Sequence, residues 1–462
     1  MPRRRRTEPL ETPPAGRVAI TLGAPFLVWL VFAANTPYDV YGDLLSTPFS
    51  VGLTPVVAAF VLVELLAAVV PKWRPLRISG PVARAQLTRK AWTLAGVFMA
   101  WELLRIALAL TGSLMNVTAP LLGLLAMNVG WTLALVFLAG MVGRMGLVNG
   151  YALLLTWLWA SEPAVDGSPR GTMFALAAFG GLVMVAAALM EMRKPHELHP
   201  ELALRAPLSG LTPMVVAGSL LMLPFTPNAV TQYLPLEGLG ELYPGSPPAI
   251  AASVLLVAVF TLAFSHLFCR PALVARMVPD VDATAVRERF QAALRHSMIF
   301  TLTLTLGTKL VEAWAFLPLA ATAPTAACVA ALFLDARDEY RAREKLGPLV
   351  AVWEEQRVYA LAPLSAALSR ASIPHHVRAA RLRTLLPYLP LVPAELLVPR
   401  RTQSLRARRC WCATRSRWRT RRATRPPRSR LFSALWAPPL ALGESVAILR
   451  APNLETTAPE EI

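Results

Sequence analysis

Few side chains in the apolar stretches of this chain could do chemistry, and each allows a narrow range of it. Glu102 and Arg105 lie three residues apart, and so do Lys309 and Glu312. On a helix that spacing puts each pair on one face, where it can neutralise itself; structural pairing is the first reading and a proton or ion relay the second. Glu64 has no partner at such spacing. A lone carboxylate in an apolar run must meet water or a polar group rather than lipid, which makes Glu64 the most informative charge in the chain. His266 falls at the end of an apolar run, an interfacial position. His375-His376 lacks nearby Cys or carboxylate ligands, and Cys410-Trp411-Cys412 offers two thiols at a poor zinc spacing, so no metal or cofactor is expected. With no nucleophile and base, and no converging carboxylates, no enzyme is expected either.

The elements that carry these residues belong in a membrane. Hydrophobic residues make up 55% of the 462, and charged residues only 16%, which excludes an ordinary soluble domain. A bilayer core of about 30 Å needs about 20 helical residues. Ten spans are read, at 18–35, 55–70, 91–110, 121–142, 147–160, 172–190, 211–226, 249–269, 297–317 and 320–335. The Arg3 to Arg6 cluster resembles the start of a signal peptide, but no convincing cleavage site follows, so residues 1–16 read as a basic cytoplasmic N-terminus. Four cysteines give no disulfide framework. Lys and Arg concentrate in alternate connections, from Lys72 to Lys90, at Arg144, from Arg193 to Arg205 and from Arg270 to Arg295, whereas the opposite set carries Arg170 alone. That bias puts the N-terminus and the segment after the tenth span in the cytoplasm.

Gly52-Leu53-Thr54-Pro55 recurs as Gly210-Leu211-Thr212-Pro213, and a short apolar run follows each copy. The topology makes the first run enter from the outer side and the second from the inner side, so the halves 17–160 and 161–340 are inverted repeats of five spans. Matched Gly/Pro-interrupted segments in inverted halves point to a translocation pathway between them. The plainer alternative is that Gly and Pro only pack or kink ordinary helices.

Past the spans, 348–354, 375–380 and 394–399 read as strands and 357–370 as an amphipathic helix, a small cytoplasmic α+β module at 347–399. Residues 400–462 then break character. Thirteen arginines fall between Arg400 and Arg430 with no acidic residue, and without them the formal charge of +18 would be +5. An arm for RNA or anionic lipid and a shifted reading frame in a GC-rich gene are both open readings.

The stretch SVGLTPVVAAFVLVELLAAVVPKWRPLRISGPVARAQLTRKAWTL, ending at Leu94, resembles the second span and following basic loop of SecY, the channel subunit of the Sec protein translocase. Thr21-Leu22-Gly23 is similar to the start of that family's first span, Gly146-Leu147-Val148-Asn149-Gly150 to its turn into span five, and Gly210 to Pro224 to its seventh span. The resemblance runs from residue 17 to about 340. It implies an all-α polytopic protein of two five-helix halves, with a pore closed by a ring of apolar side chains and a lateral gate between the second and seventh spans. Carried over by position, the ring is Val57, Val61, Tyr151, Leu155, Val215 and Cys328, and the gate motif is Gly52, Pro55, Glu64, Gly210 and Pro213. Apolar ring side chains would seal around a passing chain without binding it. Implied substrates are unfolded or nascent polypeptides, moved across or into a bacterial cytoplasmic membrane with SecE-like and SecG-like subunits and membrane lipids.

Departures from the family bear on its partners. Little sequence before Phe49 remains for a plug helix, the loop from Glu191 to Ala206 is short, and Pro279-Asp280-Val281-Asp282 lacks the family's arginine, which puts SecA or ribosome docking in doubt. The 347–399 module is no part of that channel and is similar to small signal-transducing-type domains. Two other functions stay open: a proton-coupled solute transporter with Glu64 as its carboxylate, and a degenerate channel anchoring a signalling module.

Overall fold

The computed structural model describes residues 13–34, 52–73, 76, 81–111, 118–160, 169–192, 204, 206–222, 246–277, 282–315 and 322–400. The basic N-terminus, the interval before Phe49, the loop residues 193–203 and Pro279 to Val281, and the arginine-rich tail beyond Arg400 lie outside them. All described residues belong to one compact unit.

The described chain is mostly helical. In order come α1 (Pro14–Ala34), α2 (Thr54–Val69), α3 (Pro81–Thr111), α4 (Thr118–Met145), α5 (Gly150–Ala160), α6 (Pro169–Glu191), α7 (Thr212–Met222), α8 (Pro247–Phe268), α9 (Pro271–Met277), α10 (Ala283–Ala315) and α11 (Thr322–Leu346). Among the described residues, three stretches are long and apolar enough to cross a membrane by length and composition, Pro14–Val31, Leu125–Met145 and Pro247–Phe268; Thr54–Val69 and Leu176–Glu191 are apolar but shorter. The α3 and α10 helices start well before the apolar runs they carry, because their basic first turns, with Arg84, Arg89 and Lys90 or Arg287, Arg289 and Arg295, continue as helix. Ser246 caps α8 by accepting a hydrogen bond from the Ala249 N–H, with Pro247 and Pro248 at the first helical positions.

Packing between α8 and α10 runs through small side chains, mostly hydroxyls, at three- and four-residue spacing. Ser253, Val257, Thr261 and Ser265 of α8 are buried, as are Ser297, Thr301, Thr305 and Thr308 of α10. Thr261 and Thr301 are 3.0 Å apart across the helix pair. Small polar side chains let backbones approach while their hydroxyls bond to their own helix or across it.

After Gly347, in the left-handed region at φ 75°, the chain forms β1 (Leu349–Glu355), α12 (Val358–Arg370), β2 (His376–Arg378), α13 (Ala380–Leu385) and β3 (Ala394–Pro399). The sheet order is β1-β3-β2 and both pairings are antiparallel, with Leu349 opposite Pro399, Arg378 opposite Glu395 and a bulge between Ala351 and Trp353. Leu361 of α12 packs on Ala394 and Leu396 of the central strand. The expected strand 375–380 is shorter than read. Ala379 turns into the left-handed region at φ 55° and α13 begins at once. Its cap is remote: Asp335 of α11 accepts hydrogen bonds from the N–H groups of Arg381 (3.2 Å) and Leu382 (2.9 Å).

Candidate functional site

The two Gly-Leu-Thr-Pro copies have one local structure. Gly52 and Gly210 both lie in the left-handed region, at φ 52° and 61°, where a side chain is disfavoured. Leu53 and Leu211 are buried, Thr54 and Thr212 open α2 and α7, and Pro55 and Pro213 follow at the second helical position, where no backbone donor is needed. Thr132 of α4 donates to the Gly52 carbonyl at 3.0 Å. The Leu211 N–H donates to the Leu385 carbonyl of α13 at 2.8 Å.

Five of the ring candidates join continuous apolar packing. Val57 and Val61 of α2, Leu155 of α5 and Cys328 of α11 belong to or pack against one core, and Tyr151 lies with Val57 against a second that contains Leu53 and Leu154. Val215 is different: it is 38% exposed on α7 while its neighbours Met214 and Ala217 are buried.

Glu64, expected to meet water or a polar group, meets a polar partner from another helix. Glu64 is 1% exposed, and Arg84 of α3 sits with Nη2 3.2 Å from Oε2 and Nη1 3.5 Å from Oε1. The partner comes from the next helix, beyond the turn at Pro71, so no spacing within α2 announces it. Arg84 also stands within electrostatic reach of Glu354 on β1, whose carboxyl is pushed up by burial and by Glu395 and Glu355 and drawn partly back by Arg84.

Glu102 and Arg105 do pair, Nε to Oε2 at 2.8 Å. The Glu312 side chain lies outside the described ones, so the Lys309/Glu312 pairing does too. His266 packs on Phe290 at the end of α8, with ring centroids 4.9 Å apart. His375 and His376 part company: His375 takes Ser365 Oγ at 2.6 Å and the Ile373 carbonyl at 3.0 Å, while His376 Nε2 lies 3.3 Å from Glu339. Among the described residues no three His, Cys, Asp or Glu side chains converge for a metal, and Cys269 and Cys328 are buried cysteines outside any disulfide.

Sequence reading missed the residues that tie the module to the helices. Arg378 donates through Nη2 to the Gly146 carbonyl (3.1 Å) and the Val148 carbonyl (3.4 Å), in the turn into α5. Asn149 donates to the Leu391 carbonyl at 2.9 Å. From the other side of that turn, Arg17 donates to the Gly146 carbonyl and Thr21 accepts from the Leu147 N–H. Arg381 bridges Asp335 (3.4 Å) and Asp338 (2.6 Å). Glu339 is fully buried. Its burial opposes the charge, but His376, Arg378 and Arg343 outweigh that and hold its carboxyl down to about 2. Apart from Arg343, four residues beyond Glu339 on the same helix, the partners are tens to hundreds of residues apart in sequence, so no local pattern could have revealed them.

No family model matches this chain, and no curated protein does. Solved structures similar to it include the following two. One was reported as showing that the plug domain of the SecY protein stabilises the closed state of the translocation channel and maintains a membrane seal; the other was reported as the structure of a protein conducting channel. Each is 12% identical, with a TM-score of 0.47, and the match covers 70% of this chain and 92% of the other. The likeness is in backbone arrangement and assigns no residue a role.

Proposed function

We propose that this chain is a SecY-like, multi-pass membrane channel that moves or inserts unfolded polypeptides through a pore between two inverted five-helix halves. The observation that carries the reading is the pair of Gly-Leu-Thr-Pro turns. They share a backbone conformation, yet one is held at Thr132, thirteen residues up α4 from Met145, and the other touches the module that follows α11. Thirteen residues of helix span about 20 Å, so the first turn is held about that far along the bundle from the module-facing end of α4, an offset that inverted repeats would produce. The apolar packing around Val57, Val61, Leu155 and Cys328 supplies material for a seal, with Tyr151 beside it. Val215, half-exposed on α7, would complete the ring on the gate side.

In this reading the chain sits in a bacterial cytoplasmic membrane with both termini in the cytoplasm, without catalytic chemistry. SecE-like and SecG-like subunits would flank the bundle, while motor or ribosome docking would compete with the module. The transporter reading loses its main support, since Arg84 neutralises the Glu64 carboxylate that a proton-coupled mechanism would use. The test is site-specific crosslinking in cells. A photoreactive residue in place of Val57 or Val215 should capture a translocating chain, and one in place of the highly exposed Leu22 should not; equal yields at all three positions would defeat the channel assignment.

A further inference from the structure

Resting on that channel reading, we infer that the 380–392 segment of the C-terminal module is a built-in stopper in the cytoplasmic mouth of the pore, which must lift before anything passes. The elements carrying Tyr151, Leu155, Val215 and Cys328 all meet the module. At α7, the Leu211 N–H bonds to the Leu385 carbonyl, and Gly210 approaches so closely that a Cβ there would fall 2.2 Å from the Leu385 oxygen and 2.3 Å from Pro387 Cδ. At α5, the entering turn is held by Arg378 and by the Leu391 carbonyl. At α11, Asp335 caps α13 and Glu339 meets His376. At α2 the link is indirect: Glu64 pairs with Arg84, which acts electrostatically on Glu354 of β1.

The stopper is apolar where it meets the helices and rigid within. Leu382, Leu385, Leu386, Leu389 and Val392 are buried in the same core as Phe60, Leu155, Leu211, Met214 and Cys328. Tyr388 joins them, its hydroxyl pushed well above the ordinary tyrosine range by burial and further by Cys328. A fully buried guanidinium, that of Arg383, holds the loop's shape by donating to the carbonyls of Gln356, Leu386, Pro387 and Leu389. This knob presents its leucines to the helices while the carbonyls of Leu386, Pro387 and Leu389 are satisfied by Arg383 from within. The charged contacts around it, Arg378 to the α5 turn and Arg381 to Asp335 and Asp338, form a rim that can be cut without touching the apolar ring.

The test uses the full-length protein in potassium-loaded vesicles and crosses two changes. One weakens the ring (Val57→Gly with Val215→Gly); the other cuts the rim (Arg378→Ala or, as an independent second variant, Arg381→Ala). Potassium release should rise at least tenfold when ring and rim changes are combined, and stay near the parent level with the ring change alone. Equal release with and without the rim change would overturn the stopper while keeping the pore. Tight vesicles in every combination, for either rim variant, would overturn the pore reading itself and the stopper with it.

Discussion

The first Gly-Leu-Thr-Pro turn and the second are alike in backbone and unlike in what holds them. Gly52 is bonded by a threonine hydroxyl from within the bundle; Leu211 is bonded by a backbone carbonyl from the module. A bond from Thr132 stays as long as α4 stays. The bond from Leu385 lasts only while the module is seated, and when it lifts, the Leu211 N–H needs a new partner because buried donors are seldom left unmet. The same four letters therefore build a fixed turn on one side and a releasable one on the other.

Changes at the two copies should accordingly have unequal reach. Gly210→Ala is the most damaging. It places an L side chain at φ 61° and drives its Cβ into the Leu385 carbonyl, so a total loss of about 4 kcal/mol in module docking is expected, well beyond the ~1–2 kcal/mol of the left-handed conformation alone. Limited proteolysis should then cut within 347–399, whereas Gly52→Ala should leave that region protected. Asp335→Ala comes next. It strips two backbone donors of α13 and the Arg381 pair, a loss of about 3–4 kcal/mol that should appear as a lower thermal midpoint for the module.

Acid should loosen the second turn and spare the first. Glu339 lies far below its ordinary 4.5, at about 2, so its carboxylate stabilises the seated module fully above pH 4.5, and that contribution disappears as pH falls through 2. The shift corresponds to about 3 kcal/mol. Trp353 fluorescence followed from pH 6 to 2 should report release of the module, and Glu339→Gln should flatten the profile. The smallest effect is expected from Thr132→Val, which removes a neutral hydroxyl bond worth about 1 kcal/mol and should leave module proteolysis unchanged.

Legibility from sequence divided along the same line. The helices at 14–34, 54–69, 247–268 and 358–370 lie within about four residues of the periods that announced them, and the repeat itself was readable because glycine at a left-handed position and proline at a helix start are local necessities. The partner of Glu64 was not readable, since Arg84 reaches back from another helix. The 375–380 strand was overextended because the residue that caps α13, Asp335, lies 46 positions before Arg381. Docking of the module onto the α5 and α7 entrances was invisible for the same reason: Arg378 to Gly146 and Leu385 to Leu211 are long-range contacts between segments that each look complete alone.

Cys328 offers the most direct test of a stoppered pore, because it is a ring candidate, fully buried, and the neighbour of Tyr388 in the stopper. In a chain with Cys269, Cys410 and Cys412 changed to Ser, a membrane-impermeant maleimide applied from the cytoplasmic side should leave Cys328 unlabelled while the module is seated. It should label Cys328 once Arg378→Ala and Arg381→Ala are introduced together. Labelling that is already complete in the seated form would contradict closure by residues 380–392, and labelling absent after the rim is cut and the module shown by proteolysis to have lifted would contradict a water-accessible pathway beneath them.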